Sequence, residues 1–207
     1  MVESKARVIH YFPELESKWG MLEKMYELYK HWNEQINVIS RKDMDHFFEH
    51  HLIHSLAIAK FVQFEKGQEV IDVGTGGGFP GVPLAILFPE VHFTLVDSIA
   101  KKIKVVDEVV NGLGLKNVTP LCSRMEEVKG EYHFIVTRAV APMKKLDGWT
   151  RKLRFAHQQG GIYALKGGDL KEELKEYGKP AKEHELKRIF SEPFFETKKV
   201  IFAPYKK

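Results

Sequence analysis

The sequence VIDVGTGGGFPG, at residues 70–81, constrains the fold more than any other part of the chain. An apolar run ends in a turn with glycines at Gly74, Gly76 and Gly78, and a candidate helix follows at 80–88. Glycine lets the backbone turn tightly and approach a ligand closely. A strand, a glycine-rich turn and a helix form the first unit of a doubly wound α/β sheet, in which ligands bind at the carboxyl ends of the strands.

Short apolar runs alternate with helical stretches through the rest of the chain. This alternation predicts an α/β fold with a parallel sheet and helices on both faces. The runs are apolar throughout, as expected of strands that are covered on both faces. The predicted strands are 69–73, 92–97, 117–121, 133–140, 161–165 and 199–203, and the predicted helices between them are 80–88, 99–112, 142–156 and 169–177.

The residues before the alternating region have helical periodicity. Apolar residues at steps of three and four predict one helix, and a second is predicted to begin near Asp43 as its N-cap. We therefore expect an N-terminal helical extension, 1–64, followed by an α/β domain, 65–207. The apolar stripes are formed by Leu22, Met25, Tyr29, Trp32 and Ile36 in the first helix and by Phe48, Leu52, Leu56, Ala59 and Val62 in the second.

The ligand of the glycine loop is indicated by the residues around it. The dinucleotide fingerprint requires glycine at the sixth position from Gly74, where this chain has Phe79, and no Gly-Lys-Ser/Thr of a phosphate loop follows. Asp72 precedes the first glycine by two residues, and its carboxylate would repel a pyrophosphate. S-adenosylmethionine carries a sulfonium and an ammonium, so we predict that this methyl donor is the cofactor.

A second acidic residue favours a nucleoside ligand. Asp97 ends the second predicted strand, 23 residues after Gly74, where a carboxylate accepts hydrogen bonds from ribose hydroxyls. Ser98 follows it and is placed in the same site. After the third strand, Met125 offers an apolar surface for adenine and Glu126 closes the loop.

Composition limits the other possibilities. The net charge of the 207-residue chain is +4, a mild lean toward acidic partners such as nucleic acid. The single cysteine, Cys122, excludes an internal disulfide and is expected to be a small buried residue of the third strand. No apolar run approaches the roughly 20 residues that cross a bilayer. We expect a cytoplasmic monomer without a membrane segment.

Three histidines at four-residue steps, His46, His50 and His54, invite a metal site. The outer two would lie about 12 Å apart along a helix, too far to share one ion. A third ligand with suitable spacing is missing. We therefore expect no metal here and favour an exposed or RNA-facing polar stripe.

The chain resembles the RsmG family, also called glucose-inhibited division protein B. The resemblance rests on IDVGTGGGFPGVPLAI, on FTLVDS with the two lysines that follow, on TRAVAP with YALKG, and on WNEQINVIS in the N-terminal part. It implies a Rossmann-like methyltransferase domain with a seven-stranded, mostly parallel sheet. It also implies that S-adenosylmethionine is used to methylate N7 of a guanine in 16S ribosomal RNA, as naked RNA or within the small ribosomal subunit.

The same resemblance implies specific cofactor contacts. They are Gly74, Phe79, Met125, Glu126 and Arg138, with Asp97 on the ribose. One position departs from the family pattern His-x-x-Asp-Ser, because this chain reads His51-Leu-Ile-His54-Ser55. Any role that rests on that aspartate is in doubt in this chain.

No catalytic acid or base is assigned, because N7 of guanine carries a lone pair and no proton. Catalysis is expected from in-line positioning of the reacting atoms, with Arg138 as a positioning residue. Residues 138–171 carry eight basic and two acidic residues, which favours RNA binding. The RNA-binding candidates are Arg138, Lys144, Lys145 and Lys166. A small-molecule methyltransferase and a non-catalytic ribosome-assembly factor with a regulatory cofactor site remain as alternatives.

Overall fold

The structure, a computed structural model, describes residues 2–155 and 160–205. The sheet has seven strands: β1 Glu69–Val73, β2 His92–Asp97, β3 Val118–Cys122, β4 Phe134–Arg138, β5 Gly161–Gly167, β6 Lys182–Glu185 and β7 Lys198–Pro204. Their order is β3-β2-β1-β4-β5-β7-β6. Strands β1 to β5 pair in parallel, and β7 runs antiparallel to both β5 and β6.

All six predicted apolar runs are strands, within one or two residues at their ends. The prediction missed β6, whose sequence is KEHE. This strand lies at the edge of the sheet and is exposed or half-buried along its length. It therefore lacks the apolar pattern of a covered strand.

Helices cover both faces of the sheet, as predicted. The α-helices are α1 Val2–Tyr11, α2 Trp19–Gln35, α3 His54–Leu56, α4 Gly81–Leu87, α5 Ala100–Leu113, α6 Met143–Thr150 and α7 Lys171–Tyr177. Successive strand residues alternate between two apolar clusters: Val70 faces the cluster that contains α4 and α5, whereas Ile71 faces the cluster that contains α6 and α7. The predicted helix at 142–156 ends earlier, with a 3₁₀ turn at Arg151–Leu153, and Ala156 lies outside the described residues.

The N-terminal helices pack on the α4/α5 face. Leu22, Met25 and Tyr29 of α2 are fully buried in the same cluster as Val70 and Leu84. A continuous apolar core therefore joins the N-terminal part to the sheet. The division into 1–64 and 65–207 stays a prediction.

The second predicted helix is present as a continuous run of helical turns, but the prediction of Asp43 as its N-cap is wrong. Residues 41–60 form a series of short pieces: 3₁₀ at Arg41–His46, a π-helix at Phe47–Ile53, the short α3, and 3₁₀ at Ala57–Lys60. Asp43 lies inside the first piece, and its carboxylate contacts histidines instead of a helix terminus. We name residues 41–60 the histidine segment. Its predicted apolar stripe is buried at Phe48, Leu52 and Leu56.

Cys122 is exposed, so the prediction of a buried filler is wrong. It lies at the carboxyl end of β3, an edge strand that has a neighbour on one side only. Among the described residues, no helix combines the length and the apolarity required to span a membrane.

Candidate functional site

The candidate site lies where β1 and β4 are neighbours. From β1 the chain continues to β2 and β3 on one side, and from β4 it continues to β5 on the other. This reversal is the topological switch point of an open α/β sheet, and the crevice outside its carboxyl ends receives ligands. The glycine loop follows β1, and Arg138 ends β4.

The three glycines of the loop have different surroundings. All three have positive φ, 67° at Gly74, 60° at Gly76 and 98° at Gly78, which favours glycine at each. A Cβ at Gly74 would lie 2.2 Å from the Val140 side chain, and one at Gly78 would lie 2.7 Å from the Tyr29 hydroxyl. A Cβ at Gly76 would meet nothing within 4 Å. Protein packing therefore fills the space at two glycines, whereas Gly76 faces open space that a ligand could enter.

Asp72 lies beneath the loop and is fully buried. Its Oδ2 accepts hydrogen bonds from the Thr75 hydroxyl at 2.6 Å and from the Gly81 amide at 2.8 Å, while Oδ1 has no partner among the described residues. Burial raises the pKa of Asp72 to about 7. The carboxylate therefore joins the loop to the start of α4, and its predicted attraction for a cationic ligand stays a prediction.

Asp97 holds the loop from the neighbouring strand. One carboxylate oxygen accepts a hydrogen bond from the Gly76 amide at 3.0 Å, and the other accepts one from the Ile99 amide at 2.9 Å. Each carboxylate oxygen has a second lone pair, so the group retains capacity for ribose hydroxyls. Ser98 is exposed beside it. The ribose contact stays a prediction that this geometry permits.

Three further predicted cofactor residues have distinct positions. Phe79 is 2% exposed, and its ring lies 4.9 Å from Tyr29 and 5.1 Å from His51 between centroids. Its side chain therefore belongs to the core, which leaves its backbone for a cofactor contact. Met125 is buried after β3, and Glu126 is exposed next to it.

Arg138 connects β4 to the histidine segment. Its guanidinium donates to the His50 carbonyl at 3.3 Å and to His51 Nδ1 at 3.1 Å, and it lies 4.9 Å from the centroid of the Phe79 ring. Burial lowers the pKa of Arg138 to about 10, so the side chain stays charged at neutral pH. In the described residues, no carboxylate oxygen lies within 4.0 Å of this guanidinium.

His51 links Arg138 to Asp43. Its Nε2 lies 2.7 Å from Asp43 Oδ2, and the other oxygen of that carboxylate lies 2.6 Å from His50 Nδ1. Burial would raise the pKa of Asp43, but the hydrogen bonds of His50 and His51 lower it below its ordinary value. Sequence reasoning missed both Asp43 and His51 as site residues. Consecutive histidines point apart on a regular helix, so no spacing signal indicated that both would reach one carboxylate.

The prediction of an exposed histidine stripe is wrong. His54 is 7% exposed, and its ring lies 5.3 Å from the Phe194 ring. His50 stacks on Phe194 at 3.9 Å, so of the three only His46 is exposed. Within 2–155 and 160–205, no group of three or more His, Cys, Asp or Glu residues is placed to hold a metal ion.

The predicted RNA-binding lysines differ in their availability. Lys166 has a 9% exposed side chain, and its ammonium contacts Glu173 at 2.8 Å and the Ala141 carbonyl at 2.9 Å. Lys144 is exposed and 3.3 Å from Glu176, and Lys145 is exposed with its ammonium 4.7 Å from the Trp149 ring. An RNA would therefore meet Lys144 and Lys145 first, whereas Lys166 would have to leave its present partners.

The sheet order and the loop between β1 and α4 define a Rossmann-like α/β fold, which solved methyltransferases share. Solved structures with this fold include an S-adenosylmethionine-dependent methyltransferase from Aquifex aeolicus, with a TM-score of 0.56 and 18% identity, covering 72% of this chain and 88% of that chain. Another is TYW2 of M. jannaschii in complex with AdoMet, with a TM-score of 0.56 and 15% identity, covering 75% and 76%. At these identities the likeness concerns the fold alone.

The family described as rRNA small subunit methyltransferase G matches residues 19–200, and this chain belongs to that family. A relative from Cytophaga hutchinsonii, named ribosomal RNA small subunit methyltransferase G, is 51% identical over 200 residues, which cover 94% of this chain and 95% of that protein. One of the same name from Christiangramia forsetii is 53% identical over 201 residues and covers 95% of each. The resemblance inferred from the sequence is confirmed.

Proposed function

We propose that the protein transfers a methyl group from S-adenosylmethionine to N7 of a guanine in 16S ribosomal RNA. The observation that carries the proposal is the match to the ribosomal RNA methyltransferase family over residues 19–200, which include the glycine loop and the end of β4. The choice of N7 follows the resemblance stated above. The same proposal describes a cytoplasmic monomer that acts on naked RNA or on the small ribosomal subunit.

The residues around the loop fit the methyl donor. The backbone at Gly76 is open, Asp97 retains lone pairs for ribose hydroxyls, and Arg138 lacks a carboxylate partner among the described residues. The bound donor supplies an electrophilic methyl group on a sulfonium. The proposed contacts are Asp72, Gly74, Gly76, Gly78, Phe79, Asp97, Ser98, Met125, Glu126 and Arg138.

The chemistry requires no general base. N7 of guanine has an in-plane lone pair and carries no proton, so the protein has only to align N7 with the methyl group. The ionisable groups near the loop fit this account, since Asp72, Asp97 and His51 all hold other parts of the protein through hydrogen bonds. We propose that catalysis is positioning alone.

The RNA is proposed to lie beside the carboxyl end of β4. Lys144 and Lys145 are exposed at the start of α6, and Arg138 and Lys166 lie nearer the site. Contacts from lysine to phosphate would make binding weaken strongly with salt. A splayed or otherwise accessible guanine is required, because the nucleophilic atom must reach the donor.

The test is methylation with a labelled methyl donor of three substrates: naked 16S RNA, small ribosomal subunits and a metabolite extract. We expect label in RNA or subunits, and strand scission with borohydride and aniline should then locate N7-methylguanine. Label found only in metabolites would instead support a small-molecule methyltransferase. Donor binding without transfer to any substrate would support a non-catalytic assembly factor.

A further inference from the structure

A chain of polar contacts runs from the histidine segment to the switch point of the sheet. Asp43 Oδ2 lies 2.7 Å from His51 Nε2, and His51 Nδ1 lies 3.1 Å from a terminal nitrogen of Arg138. The side chain of His51 is 9% exposed. The Asp43 side chain is 34% exposed, so the array runs from a partly exposed carboxylate through a buried histidine to β4.

The chemistry of the partners fixes the proton on His51. A guanidinium has donors only, so Nδ1 of His51 must accept from Arg138. The remaining proton of the neutral ring then lies on Nε2 and is donated to Asp43. Burial, followed by the charge of Arg138, lowers the pKa of His51 to about 4, which keeps the ring neutral at physiological pH. The direction of both hydrogen bonds is thus determined.

The array fixes one edge of the guanidinium and leaves the rest free. The described residues take two of its five N–H groups, through the His50 carbonyl and His51. Phe79 lies against its face at 4.9 Å. Because Val136 pairs with Asp72, Arg138 is level with Gly74 across the two central strands. The backbone of Arg138 therefore lies beside the first glycine of the loop.

This cation has no carboxylate in direct contact among the described residues, although Asp72 and Asp43 lie near enough to raise its pKa. No carboxylate oxygen of those residues lies within 4.0 Å of the guanidinium, although Arg138 is partly buried. A buried charge without a partner is costly, and a planar guanidinium pairs best with a carboxylate or a phosphate. The methyl donor has one carboxylate.

We propose that Asp43 and His51 are positioning residues, which orient Arg138 so that its free N–H groups bind the carboxylate of the methyl donor. The inference rests on the proposed function only in placing the donor at the glycine loop. It makes the N-terminal histidine segment part of the cofactor site, although neither positioning residue touches the cofactor.

The test compares S-adenosylmethionine with its decarboxylated form, which differs in the carboxylate alone. Calorimetry on the full chain should show that His51→Gln weakens S-adenosylmethionine binding about tenfold, as expected for a lost hydrogen bond to a charged group. Binding of the decarboxylated form should change less than about twofold, because Arg138 has no carboxylate to bind there. Asp43→Asn should show the same pattern with a smaller loss.

Two further variants separate positioning from folding. The side-chain oxygen of asparagine lies where Nδ1 of histidine lies, whereas the amide nitrogen of glutamine lies where Nε2 lies. His51→Asn should therefore keep the acceptor for Arg138 and retain more affinity than His51→Gln. His46→Gln is the matched control, because His46 is exposed in the same segment, and it should leave both affinities unchanged.

Equal weakening of both ligands in His51→Gln would mean a general structural role and would overturn the proposal. Unchanged S-adenosylmethionine binding combined with slower RNA methylation would also overturn it, because Arg138 would then serve the RNA. If the predicted binding pattern appears but no RNA is methylated, the positioning role stands and the proposed RNA substrate fails. A wild-type protein that binds neither ligand would overturn both.

Discussion

The two sides of the switch point are built in different ways. On the glycine-loop side, Asp72 holds Thr75 and Gly81, which lie three and nine residues further along the chain. On the arginine side, Arg138 is held by His51, 87 residues earlier. The contacts of Asp72 are therefore short-range, although Asp97 and Tyr29 also hold the loop from β2 and α2. The arginine depends entirely on the packing of the histidine segment against the sheet. The first side is partly local, and the second exists only in the folded protein.

The two sides also carry buried ionisable groups with opposite shifts. Burial raises the pKa of Asp72 to about 7, and burial, together with the charge of Arg138, lowers that of His51 to about 4. Each group is thereby moved toward its neutral form. The two regions are therefore expected to respond to pH in opposite directions.

The largest expected effect is a loss of stability when Gly78, the loop glycine that packs against Tyr29, is replaced. Gly78→Ala would place a Cβ 2.7 Å from the Tyr29 hydroxyl at a positive φ, which combines overpacking with backbone strain. We expect a loss of about 4 kcal/mol in the free energy of unfolding. Denaturant titration measures it.

Gly76→Ala is the matched control for that substitution, because it has a similar backbone strain but open space around the new Cβ. We expect a loss of about 1 kcal/mol. Equal losses for the two variants would show that packing against α2 does not distinguish the glycines.

The next largest effect is the pH dependence of the arginine side. The pKa of His51 is about 4 in the folded protein against 6.5 in the unfolded chain, so its contribution is fully present above pH 6.5 and is lost as pH falls toward 4. The loss is up to about 3 kcal/mol at 1.36 kcal/mol per unit. The charged and titratable groups around it are Asp43, His50, His54 and Arg138. Denaturant titrations across this range should show that His51→Asn flattens the dependence, and an unchanged slope would contradict this.

The glycine-loop side should respond in the opposite direction. The pKa of Asp72 is about 7 in the folded protein against 3.8 in the unfolded chain, so its contribution is fully present below pH 3.8 and is lost as pH rises through about 7. Its neighbours Arg138 and Asp97 act on it in opposite senses. The same titrations on Asp72→Asn should show that wild type loses stability relative to the variant as pH rises. A difference that runs the other way would mean that Asp72 is ionised beneath the loop.

A smaller effect, on the affinity for S-adenosylmethionine, is expected when Asp97 is replaced. Asp97→Ala removes the acceptor for the Gly76 amide and the proposed ribose partner. S-adenosylmethionine binding should weaken roughly thirtyfold, about 2 kcal/mol, by calorimetry. Asp107→Ala, which removes an exposed carboxylate from α5, is the matched control and should have no effect. If Asp97→Ala binds S-adenosylmethionine as tightly as the wild type, Asp97 does not bind the ribose.

The smallest effect concerns the proposed RNA surface next to the arginine side. Replacing both Lys144 and Lys145 with alanine should weaken RNA binding severalfold, about 1 kcal/mol, and reduce its salt dependence. Cofactor binding should stay the same, because both side chains are exposed on α6. Filter binding at several salt concentrations measures the affinity for RNA and its salt dependence. A parallel loss of cofactor affinity would argue against a surface role for the two lysines.

Much of the fold could be predicted because its signals are local. Apolar runs marked six of the seven strands, and the missed one, β6, is a polar edge strand without an apolar pattern. The loop at 70–81 was located correctly at the switch point. The predicted site residues Asp97 and Arg138 do lie at the same edge of the sheet, at the carboxyl ends of the two strands that flank β1, since parallel strands align those ends.

What the sequence could not indicate were the partners of polar side chains. Lys166 was predicted to reach RNA but is paired with Glu173 from α7. His54 was predicted to be exposed but is buried beside Phe194. In each case the partner is distant in the chain or comes from a different element, so periodicity carries no information about it.

The sequence by itself determined the alternating sheet, the glycine loop and the family of methyltransferases, because those depend on patterns within a few neighbouring residues. Only the tertiary structure decided that Asp97 holds the Gly76 amide, that His51 accepts from Arg138, and that Tyr29 packs against Gly78. The physical reason is distance along the chain. Hydrogen bonds between residues that lie tens of positions apart form only after the apolar core has brought their elements together.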